Sequence, residues 1–193
     1  MRSLAIILLA LMIGVPTFSW ADTFSPTFTV GGTVMKTYFD NAGDWDCFFG
    51  CSDFDVDDDT DTGGEVFVKV GWGSLLVLKL GYMDYGEFDF VEGFLQPDVR
   101  GSGEASLTYA AWAPQWNINR RFSLTGAIGA GIQDVDVDVD EGLVDIDDGA
   151  AVYTSLGIQY RVTDHFAMHT EAGYSFGEDI NVGWVGFGGS YRF

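Results

Sequence analysis

The chain is poor in positive charge: nine Lys and Arg stand against 29 Asp and Glu in 193 residues, a formal net charge of −20. Such a balance argues against nucleic acid or phosphate-rich partners. There are only two cysteines and two histidines, which leaves little material for a thiol or imidazole metal centre. Past the first twenty residues the chain lacks any run of about 20 apolar residues, the length a membrane-spanning helix needs. Amphipathic stretches with helical period are also missing, and no Pro/Ser-rich linker divides the chain. What remains is one domain without a recognisable helix.

The opening MRSLAIILLALMIGVPTFSWA has a basic residue at Arg2, an apolar run of about a dozen residues, and Ser19-Trp20-Ala21 as a small-x-small site; this is the pattern of a secretory leader. Cleavage is expected before Asp22, leaving residues 22–193 as the mature domain with about −21 charge. The negative charge is unevenly placed. Residues 40–65 hold ten acidic side chains and residues 134–148 hold eight.

Period two dominates the rest. Eight strands are expected at residues 27–39, 65–72, 75–90, 104–113, 122–138, 144–162, 165–176 and 182–193. The connections alternate between short and long, so the long loops project from one end of the sheet. An even strand number brings both termini to the short-turn end. Outer-membrane barrels have this asymmetry, and the expected fold is an all-β, eight-stranded antiparallel up-and-down transmembrane barrel.

The fifth strand carries the argument. Phe122, Leu124, Gly126, Ile128, Ala130 and Ile132 share one face over 11 residues, enough for a tilted strand to cross the hydrocarbon layer. Alternation continues beyond Gln133 with aspartate in the same seats, as expected where the strand outlasts the membrane and its outward positions meet water. A three-residue tip at Asp140-Glu141-Gly142, with Gly left-handed, would oppose Val139 to Leu143, Ile132 to Ala150, Ala130 to Val152 and Leu124 to Ile158, without a bulge.

The other face is expected to line the lumen. It collects small and polar residues, among them Thr27, Thr29, Gly31, Thr33, Ser106, Thr108, Ser155, Gly157, Gln159, Gly186, Gly188 and Ser190. Its charged members are of both signs: Glu65, Lys69, Lys79, Glu104, Arg161 and Glu171. An eight-stranded interior is filled by side chains, so these should form ion pairs in a plugged core, with Lys79 reaching Glu171 or Glu104. The inward glycines (Gly31, Gly71, Gly129, Gly131, Gly173, Gly186, Gly188) leave a narrow channel as the alternative. Aromatics gather where the apolar seats end: Trp72, Phe122, Tyr160, Phe166 and Tyr191 at the short-turn end, Tyr38, Tyr82, Tyr174 and Phe176 at the other. Amphipathic rings favour that interface. Lys36 and Asp84 also fall on outward seats, which puts them at the rim unless Gly31-Gly32 marks a bulge.

The chain closes with VGFGGSYRF, in which Phe187, Tyr191 and Phe193 alternate outward and the last residue is aromatic. This resembles the carboxy-terminal signal read by the barrel assembly machinery. With LKLGYMDYGEF (78–88) and NINRRFSLTGAIGAG (117–131), it resembles the small OmpA-like outer-membrane β-barrel family, in the form without the peptidoglycan-binding domain that longer members carry. The resemblance implies a monomer in contact with outer-membrane lipid and lipopolysaccharide, long loops extracellular and both termini periplasmic.

Candidate sites are few. Cys47 and Cys51 (CFFGC) in an exported chain favour a disulfide across the first long loop. Asp57, Asp59 and Asp61, and likewise Asp136, Asp138 and Asp140, offer oxygen ligands, but neither set has the EF-hand glycine and glutamate in place. Weak bridging of divalent cations between the acidic loops and lipopolysaccharide fits better than a specific metal site. His165 and His169 are expected on the inward face at or near the periplasmic end, where hydrogen bonding in a polar lumen accounts for His169 beside Glu171; no Ser-His pair stands at the outer rim, where a lipid A hydrolase would need one. The expectation is therefore a non-enzymatic barrel without cofactors, structural or interactive in role.

Overall fold

The structure, a computed structural model, describes residues 26–41, 54–58, 60–92, 99–139, 142–177 and 180–193. Ten strands occur among them: β1 (Thr27–Asn41), β2 (Phe54–Asp58), β3 (Thr60–Trp72), β4 (Leu76–Glu92), β5 (Val99–Trp112), β6 (Gln115–Asn117), β7 (Phe122–Val139), β8 (Gly142–Arg161), β9 (Phe166–Gly177) and β10 (Ile180–Arg192). Eight are long and close into an antiparallel barrel in the order β1-β3-β4-β5-β7-β8-β9-β10, with β10 returning to β1. The short β2 extends the long-loop end of β4, and β6 pairs with the start of β7. Closure leaves the eight-stranded barrel no free edge, as a strand-built membrane span requires.

Register sets the barrel's shape. Directly opposed residues run from Leu124 through Ile158, Thr170, Phe187, Val34, Gly64, Asp84 and Ser106, and return to β7 at Asp134, ten residues further along. A stagger of ten residues at ~3.3 Å each, around eight strands ~4.8 Å apart, tilts the strands by roughly 40°. At that tilt a ten-residue climb, from Tyr160 to Ala150 on β8, gains about 25 Å of height, the height of a lipid-facing apolar band.

The outward seats are apolar over this height and exposed. Val34, Val66, Leu78, Leu80, Ile128, Ile132, Val152, Leu156, Ile158, Val185 and Phe187 all face away from the barrel. Their number far exceeds the few hundred Å² of contiguous apolar surface that a soluble monomer carries. Above them the outward seats turn acidic: Asp84, Glu87, Glu104, Asp134 and Asp136 are exposed while Val135 points inward. Glu87, Glu104 and Asp136 oppose one another on three neighbouring strands, a like-charge row that is acceptable only where water and counterions surround it.

Three expectations need correction. First, β5 is inverted. Ala105, Leu107, Tyr109 and Ala111 are the buried seats, whereas Glu104 and Thr108 are exposed and Ser106 shares their face. Glu104 is therefore no partner for Lys79. Second, the β7–β8 tip is shorter than expected: Val139 opposes Gly142, not Leu143. The pairs Ile132–Ala150, Ala130–Val152 and Leu124–Ile158 nevertheless hold, because a bulge at 147–148 on β8 restores the missing residue. Third, no register shift occurs at Gly31-Gly32. The irregularity lies instead at Tyr85, where Gly86 adopts φ 86° and donates its N–H to Asp84 Oδ1 at 3.0 Å. Lys36 and Asp84 are simply exposed outward seats.

Candidate functional site: a sealed lumen

Lys79 is the centre of the barrel interior. It sits on the inward face of β4 at 1% exposure. Its ammonium is 2.7 Å from Glu65 Oε1 on β3 and 3.0 Å from Glu171 Oε1 on β9, and it donates to Tyr153 OH at 2.9 Å. A buried charge is tolerable when paired and when its partners' remaining lone pairs are satisfied. Here they are. Tyr109 OH donates to Glu65 Oε1, Thr33 Oγ1 donates to Glu65 Oε2 at 2.8 Å, and Tyr153 OH donates to Glu171 Oε1 at 2.7 Å. His169 Nε2 lies 3.0 Å from Thr33 Oγ1 and extends the network toward β9. The ammonium also lies 4.8 Å from the centre of the Phe67 ring, a favourable position over an aromatic face.

The predicted ion-pair set thus divides. Glu65, Lys79 and Glu171 converge, with Glu171 the partner as expected. Lys69 faces inward but makes no ion pair among the described residues; its amine lies 4.7 Å from the Phe67 ring centre. Arg161 donates to the Arg120 carbonyl at 3.4 Å. Both line a polar vestibule of about 200 Å³ at the short-turn end, together with Thr27, Thr29, Gln159, Ser190 and Arg192.

Above the ion cluster the lumen is filled by rings. Tyr109 and Tyr153 stack at 4.1 Å, and Tyr153 stacks on Trp184 at 5.4 Å. Five inward rings lie directly across from a glycine: Phe67 from Gly31, Tyr109 from Gly81, Tyr153 from Gly129, His169 from Gly188 and Trp184 from Gly173. At these glycines the rings occupy the missing side-chain space, whereas Gly71 lines the vestibule. At Gly81 a Cβ would overlap the Tyr109 ring. Gly81→Val should cost about 1–3 kcal/mol by overpacking, read as a lower urea midpoint in micelles. The penalty should shrink in a Tyr109→Ala background.

Higher still, Met35, Phe39, Met83, Leu107, Val135, Ile180 and Val182 form a buried apolar plug. The upper inward face is thus predominantly apolar, with Thr37, Gln133 and Ser175 buried among the plug residues, a division not expected from the small and polar residues alone. Tyr109 and Tyr153 are members of the cluster that the charge pattern does not announce; the signal that could have found them is an inward ring at a register position next to a charged seat.

On the outside, Trp72, Phe122, Phe166 and Tyr191 at the short-turn end, and Tyr38 and Phe176 at the other, are exposed; Tyr160, Tyr82 and Tyr174 are half-buried on the same outer face. Phe187, Tyr191 and Phe193 are all exposed at the outer surface of the last strand. His165 is not on the inward face as expected: it precedes β9, is exposed in the turn, and stacks its ring on the outward Tyr191. Cys47 and Cys51 lie outside the described residues. So do Asp59 and Asp140, one from each acidic triad.

A closed strand-built cylinder with a lipid-facing exterior and a filled interior defines a membrane β-barrel. The sequence matches the family described as outer membrane protein beta-barrel domain over residues 5–193, and the chain belongs to that family: it is a small barrel of the Gram-negative outer membrane. No curated protein matches it in sequence. Among solved structures it is similar to Ail, the attachment invasion locus protein of Yersinia pestis, crystallised with the heparin analogue sucrose octasulfate (17% identity, 88% of this chain and 99% of that one, TM-score 0.57). It is also similar to OprG from Pseudomonas aeruginosa (15% identity, 88% and 97%, TM-score 0.56) and to Neisserial surface protein A (10% identity, 86% and 97%, TM-score 0.55). At these identities the likeness concerns the fold.

Proposed function

We propose that this protein is a non-conducting, non-enzymatic barrel that presents acidic loops at the cell surface. The observation that carries this reading is the sealed lumen, in which the Glu65–Lys79–Glu171 cluster, the Tyr109–Tyr153–Trp184 stack and the apolar plug succeed one another along the axis. Reconstituted into planar bilayers, the purified barrel should give no stable single-channel conductance; steady openings would favour the second reading, a narrow channel fed by the vestibule. Heat-modifiable migration of the folded form on detergent gels should accompany the closed state.

The long loops are extracellular and both termini periplasmic in this reading. Its support is charge: the acidic runs cluster at the long-loop end, while Arg120, Arg121, Arg161 and Arg192 gather at the other. The acidic surface suits weak divalent-cation bridging to lipopolysaccharide. It does not suit a polyanion of the kind seen with Ail. Cys47 and Cys51 clip the first loop as a disulfide, and Phe187, Tyr191 and Phe193 serve as the signal to the assembly machinery for a monomeric barrel. His169 supports the absence of catalysis, being engaged by Thr33 and packed against Phe67 inside the barrel.

A further inference from the structure

We infer that the turn between β6 and β7 is a docking site for the headgroup phosphate of an anionic phospholipid. Arg120 and Arg121 are both exposed there and held by a fixed backbone. Asn119 Oδ1 accepts from the N–H groups of Arg121 and Phe122, each at 2.8 Å, and Asn119 N donates to the Phe122 carbonyl at 3.1 Å. The Arg121 guanidinium donates to Tyr160 OH at 3.2 Å, which places it on the lipid side of the barrel. Immediately above it the Phe122 and Tyr160 rings pair at 4.9 Å, and above them Leu124 and Ile158 are exposed and directly opposed.

The order from the turn upward is guanidinium, aromatic ring, aliphatic side chain. A phospholipid presents phosphate, glycerol and acyl chain in the same order. Neither arginine has an ion pair among the described residues, so their charge is free to meet one brought by a ligand. A guanidinium pair favours phosphate geometry, and a headgroup with net negative charge is favoured over a zwitterionic one, whose own ammonium offsets the attraction. The inference rests on the membrane reading, and on the proposed orientation only for which leaflet supplies the lipid.

The test equilibrates the folded full-length mature chain in a bilayer of equal phosphatidylglycerol and phosphatidylcholine, extracts it with mild detergent, and counts retained lipid by native mass spectrometry. Phosphatidylglycerol should be retained about thirtyfold over phosphatidylcholine, as two basic side chains near an anionic surface provide. Arg120→Gln with Arg121→Gln should bring the ratio near one while leaving heat-modifiable migration intact. Lys36→Gln, at an exposed seat toward the long-loop end, should leave the preference unchanged. Equal retention by the wild type, or a preference that survives the double substitution, overturns the site. Cysteine labelling of the turn in whole cells tests the orientation separately: surface labelling together with a persistent phosphatidylglycerol preference would refute the orientation and leave the site standing.

Discussion

Lys79→Met should lower the unfolding free energy of the barrel by about 3–5 kcal/mol, the usual cost of removing one partner from a buried ion cluster. Methionine fills the space of the lysine stem, so the loss isolates charge from packing. What it leaves behind is two carboxylates. Glu65 and Glu171 each lie within 3.0 Å of the same ammonium, and both are at least 94% buried, the exposures being 4% and 6%. Without Lys79 they face each other with only hydroxyl donors to hold them. Lys69 lies below, toward the vestibule, and is the nearest remaining cation by register, directly opposite position 79. Urea unfolding in lipid vesicles, followed by tryptophan fluorescence, measures the loss. Adding Glu65→Gln and Glu171→Gln should restore most of it, since a buried ionic group can be replaced by neutral side chains at little net cost. A Lys79→Met barrel as stable as the wild type would mean that water reaches the cluster, and the sealed lumen would fall with it.

The eight long strands could be read from the chain because lipid imposes a strict rule on every second residue across the whole crossing. On β7 and β8 that rule is visible from Phe122 to Ile132 and from Ala150 to Tyr160. β5 obeys it weakly: Ala105, Leu107, Tyr109 and Ala111 alternate with Glu104, Ser106, Thr108 and Ala110, so small residues stand on both faces and neither announces itself as the lipid side. What decides the question is tertiary, namely that Tyr109 must point inward to bond Glu65 and stack on Tyr153. The β7–β8 tip is hidden in the pattern for the opposite reason. Aspartates alternate on both arms there, so an extra residue at 147–148 slips no apolar seat into water and leaves no mark in the pattern. A tip one residue shorter than the pattern implies and a bulge of one residue on β8 offset each other where the strands enter the membrane. The lumen was half legible. Charges of both signs on inward seats point to Glu65, Lys79 and Glu171, but the matching of five rings to glycines on the next strand appears only once the register is known.

Leu156→Arg should destabilise the barrel in a bilayer by about 2–4 kcal/mol, the cost of a cation near the midplane of a lipid-facing strand. The seat is chosen by geometry. Leu156 is 65% exposed and third of the six outward positions on β8 that climb from Tyr160 to Ala150. Its directly opposed neighbours are Gly126 and Ala172, so little protein packing is lost when it is replaced and there is no carboxylate beside it to pair with. Arginine at Asp136, four residues beyond Ile132 and flanked by Glu104 on the adjacent strand, should cost nothing and could gain a few tenths of a kcal/mol by breaking the like-charge row. The contrast between the two sites, measured by urea unfolding in vesicles, places the upper edge of the hydrocarbon above Leu156 and below Asp136. In thinner bilayers the Leu156→Arg penalty should fall, because the long side chain then reaches the interface. That dependence on thickness separates lipid from any buried protein core as the partner of the apolar face, since a protein core would set one cost in every bilayer.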